Sequence, residues 1–201
     1  MSSVNFNNSE YINKGTTLVP FGNINNPLSE EDINKLVTYC EGVDKEFVTT
    51  GDAGEENFVH VGRFMTDVKK PEIVKNEYSQ KVIDVLSQPK IKNYISKTVG
   101  ASKEIFYRRI QFNQIDQNCF VGYHLDIDSN PDYLAACVIQ LGKEYKGGIY
   151  RVYQKDKSFR DFNAEYGSLI ISNCEYPHEV TKVTKGNRKS LVFFISYSNG
   201  K

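Results

Sequence analysis

The sequence predicts a mainly-β protein supported by helices on its amino-terminal side, and three observations carry that expectation. After Ser102 the chain breaks into short runs rich in Val, Ile, Tyr and Phe, divided by Asn, Asp, Gly and Lys, which is the texture of strands and turns. Before Ser102 three stretches place apolar residues at helical spacing instead. The length of 201 residues, 39% of them hydrophobic and 12% aromatic, suffices for one buried core and is short for two. A single domain over residues 1–201 is therefore expected, with an amino-terminal arm over 1–28, helical support over 29–103 and a sandwich or jelly roll over 104–198.

Each element has its own reason. The arm is dense in Asn, Gly and Pro, with Leu18-Val19-Pro20-Phe21 as a possible short strand. Ser29 followed by Glu30, Glu31 and Asp32 supplies a capping hydroxyl and then carboxylates for the positive first turn of a helix. Ile33, Leu36, Val37 and Cys40 form its apolar stripe. Residues 42–57 are acidic and contain glycine, which reads as a loop, and 58–64 read as a strand that breaks at Gly62. Pro71 suits the first turn of a second helix carrying Ile73, Val74, Tyr78, Val82, Ile83 and Leu86. A third helical piece carries Ile91, Tyr94, Ile95 and Val99, with Gly100 placed to close it. Seven strands follow, at 104–115, 119–125, 133–141, 148–154, 168–173, 178–184 and 188–197.

Composition narrows the function classes. Lys plus Arg and Asp plus Glu both total 25, so no global charge draws the chain to nucleic acid or to an anionic membrane. Cys40, Cys119, Cys137 and Cys174 follow no CxxC or regular spacing, which fits reduced, buried thiols and a cytoplasmic location. The first ten residues are polar and form no leader-like pattern, and no apolar run approaches a membrane span.

The chemistry-bearing residues are few. His124 and Asp126 stand two apart in the apolar run 121–128, and on a strand residues i and i+2 share a face. The chain has three histidines, and His178 opens a later β-rich run fifty-four residues on. Two imidazoles and a carboxylate can hold one octahedral metal and leave positions open. The plainer reading is a chance pair plus a turn-terminal histidine bonded to backbone. Arg188 opens the last run, and alternation puts it with Ser190, Val192 and Phe194 on one face. An arginine facing inward must meet an anion, and its planar fork matches a carboxylate.

His124-Leu125-Asp126, His178 and Arg188-Lys189-Ser190, in that order, resemble the Fe(II)/2-oxoglutarate-dependent oxygenases, and within them the prolyl-hydroxylase-like branch. Gly147-Gly148-Ile149-Tyr150, Tyr166 to Ile171 and Pro177-His178-Glu179-Val180 support the resemblance, which spans roughly residues 105–198. It implies a double-stranded β-helix (jelly roll) and an enzyme that uses Fe(II), 2-oxoglutarate and O2, with ascorbate as a reductant. It implies His124, Asp126 and His178 as iron ligands, and Arg188 with Ser190 on the distal carboxylate of 2-oxoglutarate. Gln140 stands where the family often has Tyr against the cosubstrate, and Asn113 or Gln114 supplies a further contact. Related halogenases have Gly or Ala at the carboxylate position, so Asp126 implies hydroxylation.

Asp126-Ile127-Asp128 through Tyr133 also resembles, more weakly, the small hydroxylases of free amino acids, lysine among them. Such a zwitterionic substrate needs a cation for its carboxylate, from Arg63, Arg108 or Arg109, and an acid for its amines, from Asp128 or Asp132. His60 is expected to be structural. The other readings are a peptidyl, prolyl-type hydroxylase, a cupin-like metal isomerase and a non-catalytic binding module. Arg188 with Ser190 weighs against an isomerase, which has no use for a second carboxylate clamp.

Overall fold

In the computed structural model, which describes residues 9–200, the elements in order are α1 (Ser9–Lys14), β1 (Thr16–Val19), α2 (Glu30–Gly42), β2 (Glu46–Thr50), β3 (Glu56–Asp67), β4 (Pro71–Ile73), α3 (Ser79–Leu86), α4 (Pro89–Thr98), β5 (Phe106–Ile115), β6 (Val121–His124), α5 (Asp126–Ser129), β7 (Ala135–Gln140), β8 (Tyr145–Gly147), β9 (Tyr150–Tyr153), β10 (Phe159–Phe162), β11 (Leu169–Asn173), β12 (His178–Val180), β13 (Val183–Gly186) and β14 (Arg188–Ser196). The main sheet runs β1-β11-β7-β14-β5-β3-β6-β12-β9-β10, every pair antiparallel, with β2 and β4 added on β3. Strand β3 pairs with β5 along one half and touches β6 at Asn57–Val121, which joins two sheets into a nearly closed jelly roll.

Period-two alternation sorts the side chains between two cores. Ile110 and Phe112 of β5 and Leu191, Phe193 and Ile195 of β14 face the helices, where Ile33, Leu36, Val82, Leu86, Ile91 and Ile95 cover them. The opposite faces, including Ile115, Val138, Val152, Ile170 and Val180, fill the space between the two sheets. The helices thus act as an apolar backing to the sheet, and the barrel interior is left for a site.

The helix beginning at Glu30 has the expected cap. The Ser29 hydroxyl accepts the Asp32 amide at 3.2 Å, and the Asp32 carboxylate accepts the Ser29 amide at 2.9 Å, a reciprocal capping box. Asp32 is buried and also takes Gln88 Nε2 at 2.9 Å and an ion pair from Lys90, which ties the start of α2 to the start of α4. Burial pushes its carboxyl up, but Lys90, Ser29 and Gln88 outweigh that and hold it well below the usual carboxylate range. A depressed folded value makes this a contribution present above the unfolded value near 4 and lost as pH falls below it. Asp32→Asn is expected to cost about 2 kcal/mol at neutral pH. The gap from wild type, read by urea unfolding, should narrow as pH is lowered from about 5 toward 2.

Three sequence expectations are corrected. Pro71 does not open a helix: it begins β4, opposite Asp67, and Ile73 is half exposed. The helix starts at Ser79 because the Asn76 side chain accepts the amides of Tyr78 and Ser79, both at 2.9 Å, and this local cap overrides the proline signal. Strand β3 does not break at Gly62 but runs through it. A Cβ there would lie 2.4 Å from Val43 Cγ1, so the glycine serves the close approach of the α2 end to the sheet. The stretch 42–57 is not all loop, since Glu46–Thr50 forms the edge strand β2. The short strands β8 and β10 were also not marked by the alternation pattern, being three and four residues long and with only Phe162 buried between them. The four cysteines are free thiols, three buried and Cys119 half-buried. Among the described residues no helix is long and apolar enough to cross a membrane.

Candidate active site

The site lies at the mouth of the barrel, and strand register builds it. His124 ends β6 and His178 begins β12, and the two are direct cross-strand partners with ring centroids 4.3 Å apart. Asp126 does not continue the strand, as the same-face argument assumes. It opens the helical turn α5, which bends the chain so that its carboxylate swings back between the rings. Oδ1 lies 3.4 Å from His124 Nε2, and Oδ2 lies 3.6 Å from His178 Nε2. One ligand atom from each of the three falls within 4.8 Å of the others.

Backbone fixes the tautomers. Each Nδ1 faces a carbonyl two residues back, Gly122 at 2.8 Å for His124 and Tyr176 at 3.1 Å for His178. With Nδ1–H donating there, both Nε2 lone pairs turn toward Asp126. Burial pushes the His178 imidazole down despite the pull of Asp126. For His124 burial pushes the same way, but Asp126 and the Gly122 carbonyl outweigh it and lift the group. Burial would raise Asp126, yet His178, His124 and the Cys174 thiol lower it overall, so a carboxylate stands buried in the site. Its Oδ2 has no hydrogen-bond partner among the described residues. A buried carboxylate with an orphaned oxygen, facing the Nε2 atoms of two imidazoles, is a donor set that fits a divalent metal.

Arg188 enters the same cavity from β14. It is buried, its Nη1 donates to Ser190 Oγ at 3.1 Å, and among the described residues its Nε and Nη2 have no hydrogen-bond partner. Burial pushes its guanidinium down in spite of the nearby Tyr145 and Tyr150 hydroxyls. No carboxylate among the described residues pairs with it, so the cation is desolvated and unmatched. A ligand carboxylate would complete it, and the donor set fits 2-oxoglutarate.

The remaining sequence-selected residues separate. Arg63 and Asn113 line the cavity with the triad. Ser190 is fully buried behind Arg188, and Gln140 is its cross-strand partner on β7, bonded to the Gly142 carbonyl at 3.4 Å; neither lines the cavity. Asp128 and Asp132 are exposed and stand outside it. The helical turn at Asp126–Ser129 carries Asp128 outward, and Asp132 lies 3.4 Å from Arg108, whose guanidinium is buried against Asp67. His60, on β3, packs on Phe47 and lies 3.2 Å from Asp116, away from the triad. Sequence reasoning missed Tyr150, which lines the cavity, is buried, leaves its hydroxyl unpartnered and sets its ring 5.1 Å from that of His178. Burial, with Asp126, pushes that phenol well up, so it remains a donor. Its signal was present in Gly147-Gly148-Ile149-Tyr150, whose tyrosine alternates with Val152 on the inward face of β9.

Fold and site together define the class: a jelly roll with a His/Asp/His metal-type triad facing a buried, unpaired arginine. Residues 110–196 match the family model described as the 2OG-Fe(II) oxygenase superfamily. That match over the second half of the chain, with the fold and the site, supports an oxygenase that uses Fe(II), 2-oxoglutarate and dioxygen. It is similar to a solved oxidoreductase of the 2OG-Fe(II) oxygenase family from Burkholderia pseudomallei, with 29% identity, a TM-score of 0.88, and coverage of 96% of this chain and 90% of that one. A Pseudomonas putida prolyl-4-hydroxylase shares 15% identity with a TM-score of 0.68, covering 95% of this chain and 97% of that one. A Trichoplax adhaerens prolyl hydroxylase, solved with a hypoxia-inducible-factor peptide fragment, shares 12% identity with a TM-score of 0.69, covering 94% and 86% respectively. At these identities the two prolyl hydroxylases show a common fold. No curated protein matches the sequence.

Proposed function

We propose that the chain hydroxylates an unactivated carbon of a small substrate, a free amino acid such as lysine, and that His124, Asp126 and His178 hold its Fe(II). Arg188, steadied by Ser190, takes the distal carboxylate of 2-oxoglutarate. The observation that carries this reading is the buried guanidinium of Arg188 with two unpartnered nitrogens in the same cavity as the triad. When bound, iron and cosubstrate supply dioxygen activation coupled to decarboxylation of 2-oxoglutarate to succinate and carbon dioxide. The chain's own residues do the rest. The Gly122 and Tyr176 carbonyls hold the Nδ1 side of each ring and so aim both Nε2 atoms at the metal position. The Tyr150 hydroxyl offers a hydrogen bond inside the cavity, and the apolar walls, Val59, Val138 and Val180 among them, exclude water from the reacting centre.

Two measurements test it. Anaerobic addition of Fe(II) and 2-oxoglutarate should produce the weak visible charge-transfer band of the chelate, and its absence in folded, iron-loaded protein would remove the site assignment. Succinate release across the proteinogenic amino acids should exceed the uncoupled background with at least one of them. Background release with every amino acid and stimulation by a peptide would replace the substrate class with the peptidyl one, for which the peptide-bound Trichoplax enzyme offers a fold-level precedent.

A further inference from the structure

We propose that Arg63 and Arg109 form a carboxylate-binding subsite at the cavity mouth, and that Asp52 fills it in the free protein as a stand-in for the substrate's own carboxylate. The inference rests on the oxygenase reading and names the residues that hold the free carboxylate of its small substrate.

Arg63 on β3 and Arg109 on β5 line the cavity that holds the triad. The same two arginines also line a groove that leads outward past Asp52, Thr66 and Ser129. Two guanidiniums therefore share one wall, and burial together with the Arg109 charge pushes Arg63 down. Like charges this close call for an anion between or beside them.

The anions now present come from the rim. Arg109 pairs with Asp52, and Arg63 pairs with Glu46. Both acids belong to β2 and the turn after it, and β2 is an edge strand held by β3. The Asp52 and Glu46 side chains are 53% and 61% exposed, whereas that of Arg109 is 15% exposed and rests on the Phe194 ring, 5.6 Å from guanidinium to centroid. The barrel fixes the cations, and the rim lends the anions.

That asymmetry has an energetic meaning. An acid half in water gains about 0–1 kcal/mol from such a pair, so structure alone gives little reason to hold an arginine inside a cavity. A displaced Asp52 would return to solvent at small cost. The ligand's carboxylate would meet a guanidinium already desolvated and stacked, where a two-bond fork is stronger. The turn that carries Asp52 closes on itself through Gly51 N–H to the Glu55 carbonyl at 2.8 Å and Gly54 N–H to the Gly51 carbonyl at 3.0 Å, so its own hydrogen bonds do not depend on the Asp52 side chain. The seat already accepts a carboxylate, Asp52's own, which favours that group over a phosphate.

The test uses full-length, iron-loaded enzyme with saturating 2-oxoglutarate, and reads succinate release with each proteinogenic L-amino acid and with its carboxamide. Acids should exceed amides in kcat/KM by about tenfold or more. Arg109→Gln should bring that ratio close to one by raising KM for the acid alone. Asp52→Asn should lower KM for the acid several-fold, because the internal competitor is gone. An acid-to-amide ratio equal in wild type and Arg109→Gln overturns the proposal, as does an amide used as well as its acid. So does stimulation confined to capped peptides without acidic side chains, or by no compound, in enzyme that still shows the anaerobic chelate band. Absence of that band in wild type sinks the oxygenase reading instead, which keeps the two failures apart.

Discussion

Asp126→Ala is expected to abolish succinate release while leaving the protein folded. The carboxylate is the buried anion that both imidazoles face, at 3.4 and 3.6 Å, and its orphaned Oδ2 marks a place for a cation. Without it two neutral nitrogens remain, and the loss should exceed the roughly 10–100-fold typical when only an outer partner of a metal ligand is removed. Thermal unfolding with and without Fe(II) supplies the second readout. Wild type should gain stability from the metal and the variant should not, since only a ligand bound to the native state shifts the midpoint. Normal turnover by Asp126→Ala would show that this carboxylate is not part of the metal site.

The second large effect is at Arg188. Arg188→Met should raise the KM for 2-oxoglutarate about a hundredfold, because hydrogen bonds to a charged partner are each worth roughly 1.5–3 kcal/mol. The same change should leave the cosubstrate-free protein at least as stable as wild type. A buried cation without a carboxylate costs desolvation energy that an apolar side chain of similar length avoids. The two readouts move in opposite directions, which a residue holding only the fold together would not produce. A marked loss of stability in Arg188→Met, with KM unchanged, would assign Arg188 to structure.

The buried pair Arg108–Asp67 shows the contrasting case. Arg108 Nε and Asp67 Oδ2 are 3.0 Å apart, both almost inaccessible, and Asn130 Nδ2 donates to the same Asp67 oxygen at 3.0 Å. This charge is matched within the chain, and it anchors the segment just after the turn that carries Asp126. Asp67→Ala should therefore cost about 3–5 kcal/mol in urea unfolding, the usual result of leaving one buried charge without its partner.

Much of the molecule is legible in the sequence because its causes are local. Alternation identified strands in all seven runs, although 178–184 divides at Thr181–Lys182 into β12 and β13, which belong to different sheets, and β5 and β14 show every second residue facing the barrel, among them Asn113 and Ile115 on one and Val192 and Phe194 on the other. The Ser29 cap and the Gly100 terminus depend on neighbours within a few positions, and both were visible, whereas the reciprocal bond from Asp32 appears only in the structure. Helix placement failed at Pro71, where the Asn76 cap and pairing with Asp67 decide instead.

By itself the sequence determined which residue types were available: three histidines, one HxD pair, one arginine opening the final strand, and a β-rich second half. Only the tertiary structure decided which of them meet. The β6–β12 register sets His124 opposite His178, and the bend at α5 brings Asp126 between them while carrying Asp128 away. The contact of a charge is equally non-local. Arg108 finds Asp67 forty-one residues away, whereas Arg188 finds no carboxylate among the described residues. Spacing along a chain fixes the face on which a side chain emerges. What occupies the space in front of that face depends on strands distant in sequence, and that difference separates a structural ion pair from a ligand site.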